Sequence, residues 1–123
     1  MGTQTGMIAL DTNILVRYLT DDDKTLSARA QEIIEQNHCF VTRVVLLETY
    51  QVLESFYELG KDEILIALRT IFGLDNLVVE DYLATARSVA WYEAGMDFAD
   101  ALTLASAFGQ DHLATFDRDF SRI

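Results

Sequence analysis

The apolar run Met7-Ile8-Ala9-Leu10 passes directly into Asp11-Thr12-Asn13, and an apolar pattern resumes at Ile14-Leu15-Val16. A short apolar run closed by residues that start helices reads as a buried strand handing over to a helix. The handover recurs where Cys39-Phe40-Val41 meets Thr42 and where Leu77-Val78-Val79 meets Glu80-Asp81. Strands that alternate with helices need crossover connections, and these give a parallel sheet. The expected fold is α/β: three layers, with a parallel sheet of four or five short strands and helices on both faces. In such a sheet the carboxyl ends of the strands and the N-termini of the following helices share one edge, where ligands bind. Asp11 belongs to that edge. A helix cap accounts for Asp11 taken alone, but three later segments also end an apolar run, or interrupt one, with an acid.

The helices follow from spacing and caps. Ile14 to Leu19 reads as a short helix, and Asp21-Asp22-Asp23 closes it and caps the next, which carries Leu26, Ala30, Ile33 and Ile34 at helical spacing. Neighbouring aspartates fan out around a turn, so capping and solvation explain the three better than a metal cage does. Thr42 caps a helix from Arg43 to about Leu59. On it Glu48 has Val44 and Val45 at i−4 and i−3 and Val52 at i+4, which places an acid on an apolar stripe. A carboxylate on a buried face must be paired, protonated or bound to a metal; the plain partners would be Arg17 or Arg43. Gly60 ends that helix, and Lys61-Asp62-Glu63 opens another with Ile64, Leu65, Leu68, Ile71 and Phe72 on its core side. Glu80-Asp81 lead into a helix through Ala94 whose Trp91 and Tyr92 serve as core or interface aromatics. Asp97 and Asp100 stand at i and i+3, a capping arrangement that explains Asp97 better than Asp100, which has small neighbours Ala99 and Ala101 and Leu104 at i+4. The segment from His112 repeats the opening logic: a short strand ends in Thr115, and Asp117 and Asp119 follow. His38 and His112 read as strand starts.

With 123 residues the chain is expected to form a single domain over 7–123, with residues 1–6 as a tail. It has no membrane-length apolar run and no secretory leader pattern, and Cys39 is its one cysteine. A reducing, cytoplasmic setting is the expectation, with Cys39 packed as a small hydrophobe. Twenty acids against nine bases give a formal net charge of −11, which opposes phosphate binding over the whole surface. Any nucleic-acid groove must be local, and metals alone do not reverse the sign. The acidity fits a solvating surface, a basic protein partner or a carboxylate cluster that takes cations.

Asp11, Asp100, Asp117 and Asp119 fall at the ligand-binding edge of the expected sheet, and Glu48 joins them if its helix packs beside the first strand. Clustered carboxylates repel unless they share cations or hold protons. Oxygen-only donors suit Mg²⁺ or Mn²⁺, and the absence of a Cys-His set argues against structural zinc. The ordered set LDTN at 10–13, VLLE at 45–48, DFADALTLA at 97–105 and TFDRDF at 115–120 resembles the signature stretches of PIN-domain nucleases, specifically VapC-type toxins of toxin–antitoxin pairs. That resemblance implies an Mg²⁺- or Mn²⁺-dependent endoribonuclease that hydrolyses RNA through metal-activated water. It implies that Asp11, Glu48, Asp100 and Asp117 form the metal-holding catalytic quartet, with Asn13 and Thr115 in support and Asp97 and Asp119 as further candidates. Its expected partners are RNA and a cognate antitoxin, with no membrane, and the aromatic residues Tyr50, Phe56 and Tyr57 of the helix after Thr42 point to a homodimer. Arg17, Arg43 and Arg118 are the basic residues to test for RNA contact. The alternative is a PIN-like binding module, or a nuclease acting on DNA or flap structures. A phospho-receiver would want a C-terminal lysine, and a haloacid-dehalogenase-like phosphatase an aspartate where Asn13 stands.

Overall fold

The computed structural model describes residues 6–107. The chain forms two compact units, one ending at Glu80 and the other beginning at Asp81. The first holds β1 (Ile8–Ala9), α1 (Thr12–Leu19), α2 (Lys24–Gln36), β2 (Cys39–Val41), α3 (Arg43–Ser55), α4 (Lys61–Phe72) and β3 (Leu77–Val79), and the second holds α5 (Tyr82–Glu93) and α6 (Phe98–Ser106). The sheet is parallel in the order β1-β2-β3, with Ile8 opposite Cys39 and Cys39 opposite Leu77. The expected α/β architecture is therefore present, with three strands among the described residues. The strand expected to end at Thr115 lies outside them.

Register explains the burial. Cys39, Val41, Leu77 and Val79 occupy one face and are 7 % exposed or less, as is Leu10 just past β1. Ala9, Phe40 and Val78 form a cross-strand row on the other face, and Val78 is 46 % exposed. Only Leu10 of the opening run is buried, since Met7 is 49 % exposed and Ile8 and Ala9 are half-buried and exposed. The strand order advances in one direction, and right-handed crossovers in one direction lay their helices on one side of a sheet. Helices α1 to α4 are the two crossovers of this sheet, so the first unit by itself builds one thoroughly covered face.

Local chemistry sets the helix starts. Asp23 Oδ1 accepts from the Leu26 N–H at 3.0 Å, Thr42 Oγ1 from the Val45 N–H at 3.1 Å, and Glu63 Oε1 from the Gly60 N–H at 3.1 Å. These satisfy donors that a helix start leaves open. The core side of α4 is Ile64, Leu65, Leu68 and Ile71, as its spacing predicts, while Phe72 is half-buried. Helix α3 stops at Ser55, short of the expected Leu59. The Tyr57 N–H bonds the Val52 carbonyl, the Leu59 N–H bonds the Leu53 carbonyl, and Glu58 turns left-handed at φ 53°. In the second unit Tyr92 meets Phe98 edge to face at 5.8 Å. Gly95, at φ 120°, makes the turn between α5 and α6, in a region that other residues rarely adopt. No described helix is long and apolar enough to cross a membrane.

Candidate active site

Asp11 follows β1 and is the N-cap of α1, where its Oδ1 accepts from the Ile14 N–H at 3.0 Å. The capping role read from the sequence is real, and it uses one carboxylate oxygen. The next residue, Thr12, donates its hydroxyl to Glu48 Oε1 at 2.8 Å. That bond spans 36 positions and fixes the second acid of the expected quartet beside the carboxyl end of the first strand. Asp11 and Glu48 thus share one edge with the N-termini of α1 and α3, whose dipoles favour negative charge.

Glu48 does not lie on a buried face, contrary to the expectation from its apolar neighbours: it is exposed, and its i−4 neighbour Val44 is 66 % exposed. Helix α3 carries two apolar rows, and the one facing the core is Leu46, Thr49, Tyr50 and Leu53, all 4 % exposed or less. Val44, Glu48 and Val52 lie on the other. Neither expected arginine partner takes Glu48. Arg17 Nη1 bonds Asp22 Oδ1 at 3.2 Å, and Arg43 Nη2 stands 3.7 Å from Glu80 Oε2.

Glu80, expected from the sequence only to lead into the helix through Ala94, has a further role. It ends the third apolar run as Asp11 ends the first, and its Oε1 accepts from the Arg43 N–H at 2.9 Å, anchoring the start of α3. The signal was the shared position at a strand end. Thr12 has a further role too, since the sequence offers no sign of which distant acid its hydroxyl would meet.

In the second unit Asp97 caps α6, with Oδ2 accepting from the Asp100 N–H at 3.1 Å. Asp100 is half-buried in the first turn of α6, between half-buried Ala99 and fully buried Ala101. Thr115, Asp117, Arg118 and Asp119 lie outside the described residues, so the structure brings Asp11 and Glu48 together and describes Asp97 and Asp100 on their own unit. Among the described residues no group of three or more His, Cys, Asp or Glu gathers for a metal. The donor set still fits a hard cation. Asp11 and Glu48 supply oxygen only, and in each the second carboxylate oxygen makes no hydrogen bond among the described residues. Mg²⁺ retains several waters and takes one or two protein carboxylates, with substrate phosphate completing its shell.

The described residues of the first unit line several concavities, three of which bear on the site. One of about 420 Å³ is bounded by Thr12, Glu48, Gln51, Val52 and Phe56. Another, of about 350 Å³, lies between α1 and α2 and begins at Asn13. The third, about 580 Å³, involves Tyr18 to Asp22, Tyr57, Glu63 and Ile66, at the far end of α1 from Asp11. There Asp22 gathers the Tyr57 hydroxyl at 2.8 Å, the Thr20 hydroxyl at 3.1 Å and Arg17. These partners, Tyr57 foremost, hold its carboxyl below the ordinary value. The aspartate run is thereby accounted for without a metal: Asp21 pairs with Lys24, Asp22 binds these donors and Asp23 caps α2.

The first unit thus presents a parallel sheet with one acid just past its first strand and a second acid held nearby by Thr12. No curated protein matches the chain. The PIN domain family model matches residues 8–123. The chain belongs to the PIN domain family, a nuclease fold that generally works with divalent metal ions.

Proposed function

We propose that this PIN domain is an Mg²⁺- or Mn²⁺-dependent endoribonuclease and the toxin of a VapC-type toxin–antitoxin pair. The observation that carries the reading is the Thr12–Glu48 hydrogen bond, which holds a second carboxylate at the edge where Asp11 already stands. Asp11 and Glu48, with Asp100 and Asp117, are the residues that would hold the cation. When bound, the cation neutralises charge on the scissile phosphate and lowers the pKa of a water in its shell. The chain's own residues orient that chemistry. The α1 cap fixes the Asp11 rotamer through Oδ1, the Thr12 hydroxyl fixes Glu48 through Oε1, and each leaves its other oxygen for the cation. Asp100 is the expected third ligand, and Asp117 a fourth or the group that orients the water. Asn13, Asp97, Thr115 and Asp119 are the supporting candidates.

The toxin reading rests on the ordered signature stretches from LDTN to TFDRDF. The net charge of −11 favours a basic antitoxin segment as the protein partner. Exposed Val44 and Phe56 on and just after α3, 66 % and 75 % exposed, support the homodimer. The test is cleavage of a structured RNA by metal-stripped protein on addition of Mg²⁺ or Mn²⁺, with Asp11→Ala and Asp100→Asn as controls. Metal-dependent cutting of RNA but not DNA, lost in both variants, is the expected result. Cutting of DNA instead, or no cutting by folded protein across several RNAs, overturns it.

A further inference from the structure

Of the three concavities described above, two are acidic: Asp21, Asp22 and Glu63 line one and Glu48 another, with no base in either lining. The groove between α1 and α2 has the opposite character. Arg17 and Arg29 line it, no carboxylate does, and Ile14, Leu26 and Ile33 supply apolar wall. In a chain with nine bases against twenty acids, two arginines in one acid-free lining are a marked local reversal of charge.

The arginines are not equivalent. Arg17 is bound to Asp22 at 3.2 Å, so its charge is largely compensated. Arg29 is exposed and makes no ion pair among the described residues. Its planar guanidinium presents donors in the fork that suits a phosphate. Position adds to charge. The groove starts at Asn13, two residues beyond Asp11, so a strand lying in it leads to the edge that carries Asp11 and Glu48. At about 350 Å³ it is a small cleft, and unpaired RNA is the form whose backbone and bases are free to enter one.

We propose that the α1–α2 groove is the phosphate-binding track for single-stranded RNA entering the site, with Arg29 as the principal contact and Arg17 as a secondary one. This rests on the ribonuclease reading for the identity of the ligand. Arg29 acts on binding and takes no part in bond cleavage. Its removal raises KM and leaves kcat.

The test uses the full chain and a short fluorescein-labelled single-stranded RNA of mixed sequence. Binding is followed by anisotropy in EDTA across a salt series, and cleavage of the same RNA with Mg²⁺ or Mn²⁺. Arg29→Gln keeps a polar hydrogen-bonding end and removes the charge, whereas Arg29→Lys keeps the charge. The expected result is about tenfold weaker binding for Arg29→Gln, the order of one charge-assisted hydrogen bond, and a salt slope flatter by about 0.7. Arg29→Lys should retain the slope, and Arg17→Ala should change binding less than Arg29→Gln. Wild-type and Arg29→Gln proteins that bind alike, or not at all, overturn the proposal even if the enzyme cuts RNA. A salt slope flattened equally in Arg29→Gln and Arg29→Lys also overturns it, because the slope reads charge and Arg29→Lys keeps the charge. With labelled polyglutamate as a second probe, an unchanged RNA slope in Arg29→Gln together with loss of polyglutamate binding in that variant assigns the groove to an acidic protein segment and overturns the RNA track. Arg29-dependent RNA binding by a wild type that never cuts RNA keeps the groove and defeats the ribonuclease reading.

Discussion

Thr12→Val removes one hydroxyl and nearly preserves side-chain shape, so it isolates the bond that carries the functional proposal. A hydroxyl donated to a carboxylate contributes about 1.5–3 kcal/mol when shielded from water. Thr12 is half-buried and Glu48 exposed, and exposure brings such a contribution down to about 1 kcal/mol. That amount is roughly a fivefold change in the population of the held Glu48 rotamer. With Glu48 released, the cation site forms in a smaller fraction of molecules. In an Mg²⁺ titration of RNA cleavage, Thr12→Val is therefore expected to need more metal and to lose about fivefold in kcat/KM at subsaturating metal, while Thr12→Ser retains activity. Thermal melting separates positioning from folding, since 1 kcal/mol of lost stability would appear as a shift of about 4 °C. Cleavage by Thr12→Val equal to wild type at every metal concentration would refute the reasoning. So would equal losses in Thr12→Val and Thr12→Ser.

Asp11 is both a cap and a proposed ligand, and two substitutions separate the roles. Asn caps about as well as Asp, so Asp11→Asn should lose cleavage with its melting temperature unchanged, while Asp11→Ala loses cleavage and about 1 kcal/mol of stability; a clearly lowered melting temperature for Asp11→Asn would contradict this. Asp22 gives an acid-side prediction. Its folded pKa lies below the ordinary 3.8, first because of the Tyr57 hydroxyl, so its stabilising effect is complete above that value and fades as pH falls through the lower folded pKa. Tyr57→Phe should reduce stability most above pH 3.8 and converge on wild type in stronger acid, as read by urea titrations at several pH values. Leu46→Ala, at a fully buried core position of α3, should cost about 2–5 kcal/mol by equilibrium unfolding; a cost below about 1 kcal/mol would place that face of α3 outside the core.

The elements most legible in the sequence were those governed by short-range rules. Asp11, Asp23, Thr42 and Asp97 each bond an N–H three residues onward, and that geometry needs no knowledge of the rest of the chain. The three described strands appeared where apolar runs met caps, because the parallel sheet requires that handover. Glu48 was assigned to the right edge for the wrong reason. Its apolar neighbours at i−4 and i+4 define a stripe, but a helix with two stripes does not announce which one meets the core. The bond that places Glu48 comes from Thr12, 36 residues away, and Tyr57 finds Asp22 across 35. Such pairings depend on how helices pack. The early end of α3 was hidden too, because the left-handed turn at Glu58 involves a residue type that carries no turn signal.

Cys39 offers a kinetic gauge of the whole sheet. It is the chain's one cysteine, it is 0 % exposed, and it sits in β2, bonded to β1 on one side and β3 on the other. Its Sγ lies against the C-terminal end of α2, 3.9 Å from the Ile33 carbonyl and 4.0 Å from the Ile34 carbonyl, so a thiol reagent reaches it only when the core between sheet and helix opens, and labelling proceeds at the intrinsic thiol rate multiplied by the fraction of molecules opened. Burial also raises the thiol pKa, which keeps the closed state inert. For an opening free energy of about 5–10 kcal/mol that fraction is roughly 10⁻⁴ to 10⁻⁷. Each variant proposed above can then be ranked by one labelling rate under native conditions, without denaturant and without an introduced probe.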